Sequence, residues 1–325
     1  MKFKKFIALI CTFAFMLPNL LNVYAGPTDQ DVEDARQFLI NHGYTEVKHC
    51  GSGGFSAVFK CKNSNDQPVA VKVVCTNDSD QIQREIDGAE AIEALKPSYL
   101  RPRDELGLNL ILGHYVKYYY KYLNVPTVIK LDDRILIESR LANGDAFDLI
   151  TNDVCGGTIS CQMLKKIFKA VLKALSVLHS KGIVHHDVKA ENILITFNAD
   201  GSVSYSLTDF GLSGKFNGPK FSGGGTPAYA APELFQDSLT REQIFKTDVY
   251  SLSATMYQMY LARSGQLRAA RPRNLQTSID RLQSSDTAHL NASTRDFLDL
   301  IKWCTKRDPS QRPTAQAALN HAFLQ

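Results

Sequence analysis

The chain of 325 residues has no C-x-x-C pair and no histidine spacing of the zinc type, so its seven cysteines do not read as a metal site. It also has little excess charge. A formal net charge of +4 gives no strong pull toward nucleic acid or an anionic membrane, and neither is expected as a partner. Internal repeats and low-complexity tracts are absent, which excludes a solenoid and a compositionally biased tail. Past residue 25 no apolar run approaches the ~20 residues that cross a bilayer, so no membrane span is expected in the mature chain. What is present, 44% hydrophobic and 22% charged residues, has the balance of a globular protein long enough for two packed lobes.

Residues 1–25 differ in kind from the rest. Lys2, Lys4 and Lys5 form a basic start, Phe6 to Leu17 is apolar, Pro18 breaks the run, and Val23-Tyr24-Ala25 ends on the small residue that a signal peptidase prefers. That order reads as a signal peptide cleaved near Ala25/Gly26, and predicts a secreted protein; an uncleaved anchor is the alternative, against which the apolar run is short. Cys155 and Cys161 flank the Gly156-Gly157 turn and are close enough in sequence either to pair or to stay free.

The patterning then changes along the chain. After an extension over 26–43, alternation from Tyr44 to Val74 predicts paired strands, with a turn at Asn63-Ser64-Asn65-Asp66. A helix is expected from Asp80 to about Leu95, with Ile82, Ile86, Ala89 and Ile92 on one face. Lys96 to Leu112 fits no template and reads as an inserted loop, followed by strand candidates at Tyr115–Tyr122 and Arg134–Glu138. From Ala142 onward the pattern turns helical. Leu164, Ile167, Phe168, Val171, Leu172, Leu175 and Leu178 recur at helical spacing, with Lys165, Lys166, Lys169 and Lys173 toward water. Asp200-Gly201 marks a hairpin between Asn192–Thr196 and Ser202–Leu207, and helices resume near Thr247 and at Arg295 to Cys304.

Several segments carry chemistry. Gly51-Ser52-Gly53-Gly54-Phe55-Ser56-Ala57-Val58 sits between strands, where missing Cβ atoms let a backbone approach phosphates. Such a hairpin alone is weak evidence. Val69-Ala70-Val71-Lys72 follows, and a lysine in an apolar strand needs an anionic partner. Then come His185-His186-Asp187-Val188-Lys189-Ala190-Glu191-Asn192, Asp209-Phe210-Gly211, and Gly225-Thr226-Pro227-Ala228-Tyr229-Ala230-Ala231-Pro232-Glu233. In that order and spacing, from about Tyr44 to the C-terminus, the chain resembles the eukaryotic-type protein kinases.

The resemblance implies an α+β, bilobal fold, with a small antiparallel-sheet N-lobe over about 44–139 and a mainly helical C-lobe over about 142–325. It implies ATP and Mg²⁺ as cofactors and a protein substrate with a serine or threonine acceptor, for which Thr226 and Lys189 are the pattern. Gly51, Ser52, Gly53, Gly54, Phe55 and Val58 would cover the nucleotide phosphates, Ala70 would line the nucleotide, and Lys72 would meet the α and β phosphates. Glu85 is expected to orient Lys72, with Glu90 as the alternative. Asp187 would take or orient the hydroxyl proton, and Lys189 would steady the transferring group. Asn192 and Asp209 offer the hard oxygens Mg²⁺ prefers. Asp145 either meets the ribose or caps a helix. Ile135 to Leu141 should carry the adenine contacts through its backbone. Glu233 with Arg312, and Asp248, are expected to hold the lower lobe together.

Two features depart from the commonest pattern. The third glycine of G-x-G-x-x-G is Ser56, and the residue before the catalytic aspartate is His186, not arginine. Because a neutral histidine offers little to a phosphate, activity is expected without phosphorylation of the segment 209–233. The arginines at 263, 268, 271, 273 and 281 read as a solvated basic face, the alternative being a surface of the lower lobe that engages partners, as the resemblance would allow. A kinase-fold pseudoenzyme serving as a binding module is the alternative function, opposed by the intact Lys72, Asp187, Asn192 and Asp209. A small-molecule kinase is opposed by Thr226, Pro232-Glu233 and Arg312. Export sits awkwardly with ATP, which is abundant in cytosol. The chain would act in an ATP-supplied secretory compartment, or be delivered into a host cell and meet host proteins there. Asn77-Asp78-Ser79 and Asn291-Ala292-Ser293 are glycosylation sequons, meaningful only in a eukaryotic secretory route.

Overall fold

The computed structural model describes residues 26–95, 122–131, 134–151, 159–215, 225–235 and 239–325. Segment 1–25, expected to be a signal peptide, the expected inserted loop, nearly all of the strand candidate at 115–122, and Cys155 lie outside the described residues. Two compact units form the chain: one runs to Gln83 and includes Val128–Leu141, and the other comprises Arg84–Thr127 with Ala142–Gln325.

The first unit is an antiparallel five-stranded sheet in the order β1-β2-β3-β5-β4. Its strands are β1 (Thr45–Ser52), β2 (Ser56–Lys62), β3 (Pro68–Val74), β4 (Thr127–Leu131) and β5 (Arg134–Arg140). Alternation decides which face is covered: Ala57, Phe59 and Cys61 of β2 are buried, as are Val69, Val71 and Val73 of β3 and Leu136 of β5. Helix α1 (Asp29–Asn41) adds Ala35 and Leu39 to that core. The helix lies within the extension over 26–43. Its start signal is present, for Thr28 and Asp31 form a reciprocal capping box, with bonds of 3.2 and 2.8 Å.

Helix α2 (Ser79–Glu93) buries Ile86, Gly88, Ala89 and Ile92. From Arg84 onward this helix belongs to the second compact unit, and Ile92 to that unit's core.

The second unit contains β6 (Gly144–Asp145), α3 (Ala146–Thr151), α4 (Cys161–Ser180), β7 (Ile183–Val184), β8 (Ile193–Phe197), β9 (Val203–Leu207), β10 (Gly214–Lys215), α5 (Arg241–Arg263), α6 (Leu267–Ala270), α7 (Pro272–Gln283), α8 (Ala292–Cys304) and α9 (Ala315–Ala318). Ser160 caps α4, whose apolar stripe from Leu164 to Leu178 is buried as its spacing predicts. The lysines opposite do more than face water: Lys165 and Lys169 donate to the carbonyls of Gln325 and Leu324 at 2.5 and 2.8 Å. Helix α5 is buried nearly all round and starts at a Thr240–Gln243 capping box. Strands β8 and β9 pair from Ile193↔Leu207 to Phe197↔Val203, with Gly201 supplying the left-handed turn residue at φ +78°.

One charged pair closes this unit. Arg312 donates through both terminal nitrogens to Glu233, and the two side chains are 0% and 2% exposed. The guanidinium also lies 4.8 Å from the Tyr250 ring centre and donates to the carbonyl of Arg307 at 3.1 Å. Its donors thus reach the Glu233 carboxylate and two backbone carbonyls, those of Lys306 and Arg307, the kind of satisfaction under which a buried ion pair does not become a net loss.

Candidate active site

In the second unit the site is assembled around Asp187. Its carboxylate receives four donors: Oδ1 accepts from the Thr226 N–H at 3.0 Å and Thr226 Oγ1 at 2.8 Å, and Oδ2 from Lys189 Nζ at 2.7 Å and Asn192 Nδ2 at 3.2 Å. Lys189 Nζ also donates to Thr226 Oγ1 at 3.1 Å. The two residues that suggested serine/threonine acceptors thus touch each other and the same carboxylate. Asn192 Nδ2 further binds the Asp187 carbonyl at 2.8 Å, which fixes the amide and leaves Oδ1 as its acceptor atom.

Asp248, from the first turns of α5, positions this loop. Its Oδ2 accepts from the His185 N–H at 2.8 Å and lies 2.9 Å from His179 Nε2, while Oδ1 accepts from the His186 N–H at 2.8 Å. Burial alone would raise the Asp248 pKa, but the His179 hydrogen bond and the nearby imidazoles together hold it below the ordinary value. His185 spans inward, its Nε2 3.0 Å from the Thr208 carbonyl and its Nδ1 accepting from the Asp187 N–H at 3.3 Å, the pattern of one neutral tautomer.

His186 and Asp209 both take left-handed backbone conformations, φ 69° and 60°. Non-glycine residues are uncommon there, although Glu46 and Asp66 in the sheet unit also take positive φ. Burial pushes the His186 pKa down to about 4, against a weaker upward pull from Asp248, so the imidazole is neutral at physiological pH. Ser213, in the segment after Asp209, is buried and donates to the His185 carbonyl at 3.3 Å.

Helix α2 approaches the Asp209-Phe210-Gly211 turn without spacer atoms. A Cβ on Gly88 would collide with the Phe210 carbonyl, and one on Gly211 would meet the Glu85 carboxylate. Glu85 is accordingly the α2 carboxylate turned toward this turn, whereas Glu90 is exposed.

Asp145 caps the first turn of α3. Its Oδ1 accepts from the Phe147 and Asp148 N–H groups at 2.8 and 3.1 Å, and Asp148 returns a bond to the Asp145 N–H at 2.9 Å. Burial raises its pKa to about 6, with the Asp148 and Glu191 charges adding to the rise.

Within the first unit, Gly51 and Ser52 end β1, and the Gly53 N–H closes the turn onto the Ser56 carbonyl at 2.8 Å. Val58 of β2 pairs with Lys72 of β3, and Ala70 and Lys72 pair with Ser139 and Ile137 of β5. Phe55 accepts through its carbonyl from the Cys75 N–H at 2.8 Å.

Asn192 Oδ1 and the Asp209 carboxylate are a donor set that fits Mg²⁺, a hard cation that keeps several non-protein oxygens. No group of three or more His, Cys, Asp or Glu among the described residues is arranged as a metal cage.

Sequence reasoning missed Gln258 and Gln276. Gln276 Nε2 donates to the Ala228 and Ala230 carbonyls at 3.1 and 3.2 Å, and Tyr229 OH donates to Gln258 Oε1 at 3.0 Å. They bolt the segment bearing Thr226 to α5 and α7. Nothing in a lone glutamine announces that role. Cys161 carries a free thiol and accepts from Arg263 Nη1 at 2.7 Å.

The protein kinase domain model matches residues 44–324. The chain is 28% identical over 289 residues to the serine/threonine-protein kinase ppk11 of Schizosaccharomyces pombe, covering 87% of this chain and 82% of that protein. It is 28% identical over 292 residues to the MAP kinase kinase MKK1/SSP32 of Saccharomyces cerevisiae, covering 84% and 51%. To human serine/threonine-protein kinase 10 it is 26% identical over 315 residues, covering 94% of this chain and 29% of that protein.

Proposed function

The chain belongs to the protein kinase family and is an ATP-dependent protein serine/threonine kinase; from that premise we propose an exported enzyme whose catalytic loop works without an arginine before Asp187. The observation that carries the catalytic reading is the Asp187 carboxylate, gathered by Thr226, Lys189 and Asn192. In the proposed mechanism an acceptor hydroxyl takes the place of one of the Thr226 donors on Oδ1, and Asp187 orients it and accepts its proton. Lys189, already at Oδ2, stabilises charge on the transferring group. Asn192 and Asp209 would hold Mg²⁺, which would supply charge neutralisation. In the sheet unit, Gly51 to Phe55 and Val58 cover the phosphates, Ala70 lines the nucleotide and Lys72 binds the α and β phosphates. Asp145 keeps its second oxygen for the ribose.

The expected outcome is that Asp187→Ala, Lys72→Ala and Asp209→Ala each lower phosphoryl transfer to a general acceptor protein by about 10³-fold or more with folding intact. Removal of Mg²⁺ should do the same. Exhaustive phosphatase treatment should leave wild-type turnover within about twofold, because His186 is neutral and demands no phosphate partner. Near wild-type turnover of Asp187→Ala would overturn the catalytic assignment, and a tenfold loss after phosphatase would overturn the reading of His186.

Export rests on the basic start, apolar centre and small residues of segment 1–25. N-terminal sequencing of exported protein should begin near Gly26; retention of Met1 in a membrane fraction would refute it. Delivery into a host cell, where ATP is plentiful, or action in an ATP-supplied secretory compartment both suit that route.

A further inference from the structure

Between Lys246 and Lys302 every basic side chain other than histidine is an arginine, and the stretch from 263 to 281 holds five of them against one carboxylate, Asp280. That carboxylate is taken, because Arg307 binds it at 3.1 Å. Arg268, Arg271 and Arg273 are all exposed, and no described carboxylate pairs with them.

Their placement works against the fold. Arg271 is the N-cap of α7 and makes no side-chain cap, Arg273 lies in its first turn, and that turn has no acidic residue. Cations at a helix N-terminus oppose the aligned peptide dipoles, so two of these arginines weaken the helix they begin. Asn274 Nδ2 donates to the Arg268 carbonyl at 2.6 Å and draws the third arginine into the same corner. A basic cluster held at local cost, with no internal counter-ion, is complementary to an anionic partner.

The location says which partner. Arg273 lies one turn before Gln276 on the same face of α7, and Gln276 bonds the Ala228 and Ala230 carbonyls. Gln258 Nε2 likewise donates to the Ala270 carbonyl at 3.0 Å and accepts from Tyr229. The arginine corner is therefore tied through two glutamines to the segment whose Thr226 touches Asp187. We propose that Arg268, Arg271 and Arg273 dock an acidic segment of the protein substrate beside the acceptor site. The proposal rests on the kinase reading. Guanidinium groups suit it better than ammonium groups would, since their planar fork binds carboxylates in pairs.

The test uses the mature chain and fluorescent thirteen-residue peptides with a central serine, flanked on one side or the other by glutamates, glutamines or arginines. An acidic peptide should exceed the glutamine peptide in kcat/KM by about tenfold or more, mainly through KM, and the advantage should shrink from about 50 to 500 mM NaCl. The triple variant Arg268→Gln, Arg271→Gln, Arg273→Gln should erase the advantage in kcat/KM and in anisotropy-measured binding. Its turnover of the glutamine peptide should not change. Its Tm should be equal or higher, since cations have left a helix N-terminus, whereas a purely structural role would lower it. Equal use of all peptides, or an acidic preference that survives the triple variant, overturns the docking surface while leaving the kinase reading intact. Acidic-peptide binding lost in the triple variant, with no peptide or general acceptor phosphorylated by wild type, supports docking and refutes the kinase reading. Capture by phosphatidylserine vesicles at salt where acidic peptides no longer bind would assign the corner to a membrane surface and overturn the proposal.

Discussion

His186 combines three properties that ordinarily exclude one another: it is buried, it is ionisable, and its backbone is left-handed. Burial lowers its pKa to about 4 from the ordinary 6.5. Above pH 6.5 neither the folded nor the unfolded chain holds the proton, and the full stability is present. Between the two values the unfolded chain is protonated first, so stability falls as pH drops from 6.5 toward 4, by at most on the order of 3 kcal/mol. Asp248, whose pKa is held down in the folded chain, adds a loss of the same sign at lower pH. His186→Asn keeps a residue tolerant of positive φ and removes the titration. Chemical denaturation at pH 7 and pH 5 should show a smaller pH dependence in the variant; an unchanged difference would mean that His186 is not the group responsible.

Helix α2 turns on a glycine. In an exposed helix interior, Gly→Ala gains up to about 1 kcal/mol from backbone entropy. At Gly88 the added methyl meets the Phe210 carbonyl, a backbone atom that cannot rotate away, and overpacking of that kind costs about 1–3 kcal/mol. The penalty wins, so Gly88→Ala should lower the denaturation midpoint and reduce phosphoryl transfer by tenfold or more, because Phe210 follows Asp209 directly. A variant as active and stable as wild type would show that the helix can withdraw without consequence. Helix α1 illustrates the reverse relation between pattern and element: Thr28, Asp31, Ala35 and Leu39 carry a start signal and an apolar face, yet the helix lies outside the motif-bearing region that drew attention first.

Across the whole molecule, β1, β2, β3 and β5, the long helix α4 and the hairpin at Asp200-Gly201 were legible because each is specified by local period or turn chemistry, whereas β4 was not expected. The carboxylate cluster was legible too, since Asp187, Lys189, Asn192 and Thr226 fall in recognisable strings. What could not be read is everything made by distant partners: the grip of Lys165 and Lys169 on the last carbonyls, the two glutamines behind Thr226, and the place of Ile92 in the second unit's core. Only folding brings these residues together. The expected Glu233–Arg312 pair did form, and its burial sets a large penalty for breaking it. Glu233→Gln or Arg312→Met should each cost about 3–5 kcal/mol by leaving the other charge buried alone. Glu233→Leu with Arg312→Met should recover most of that loss in a melt; a double variant as unstable as either single one would contradict this account.

The same pair has a consequence in time. Glu233 precedes its partner by 79 residues, which at about 5–20 residues per second is roughly 4–16 s of synthesis. Until Arg312 emerges, Glu233 has no counter-charge to be buried with, and the segment from Thr226 to Phe235 has reason to stay in water. Thr226 is therefore seated only after Arg312 has left the ribosome. For a protein read as exported, that delay is useful: a chain that cannot close early remains threadable while it is being handed to a translocation channel.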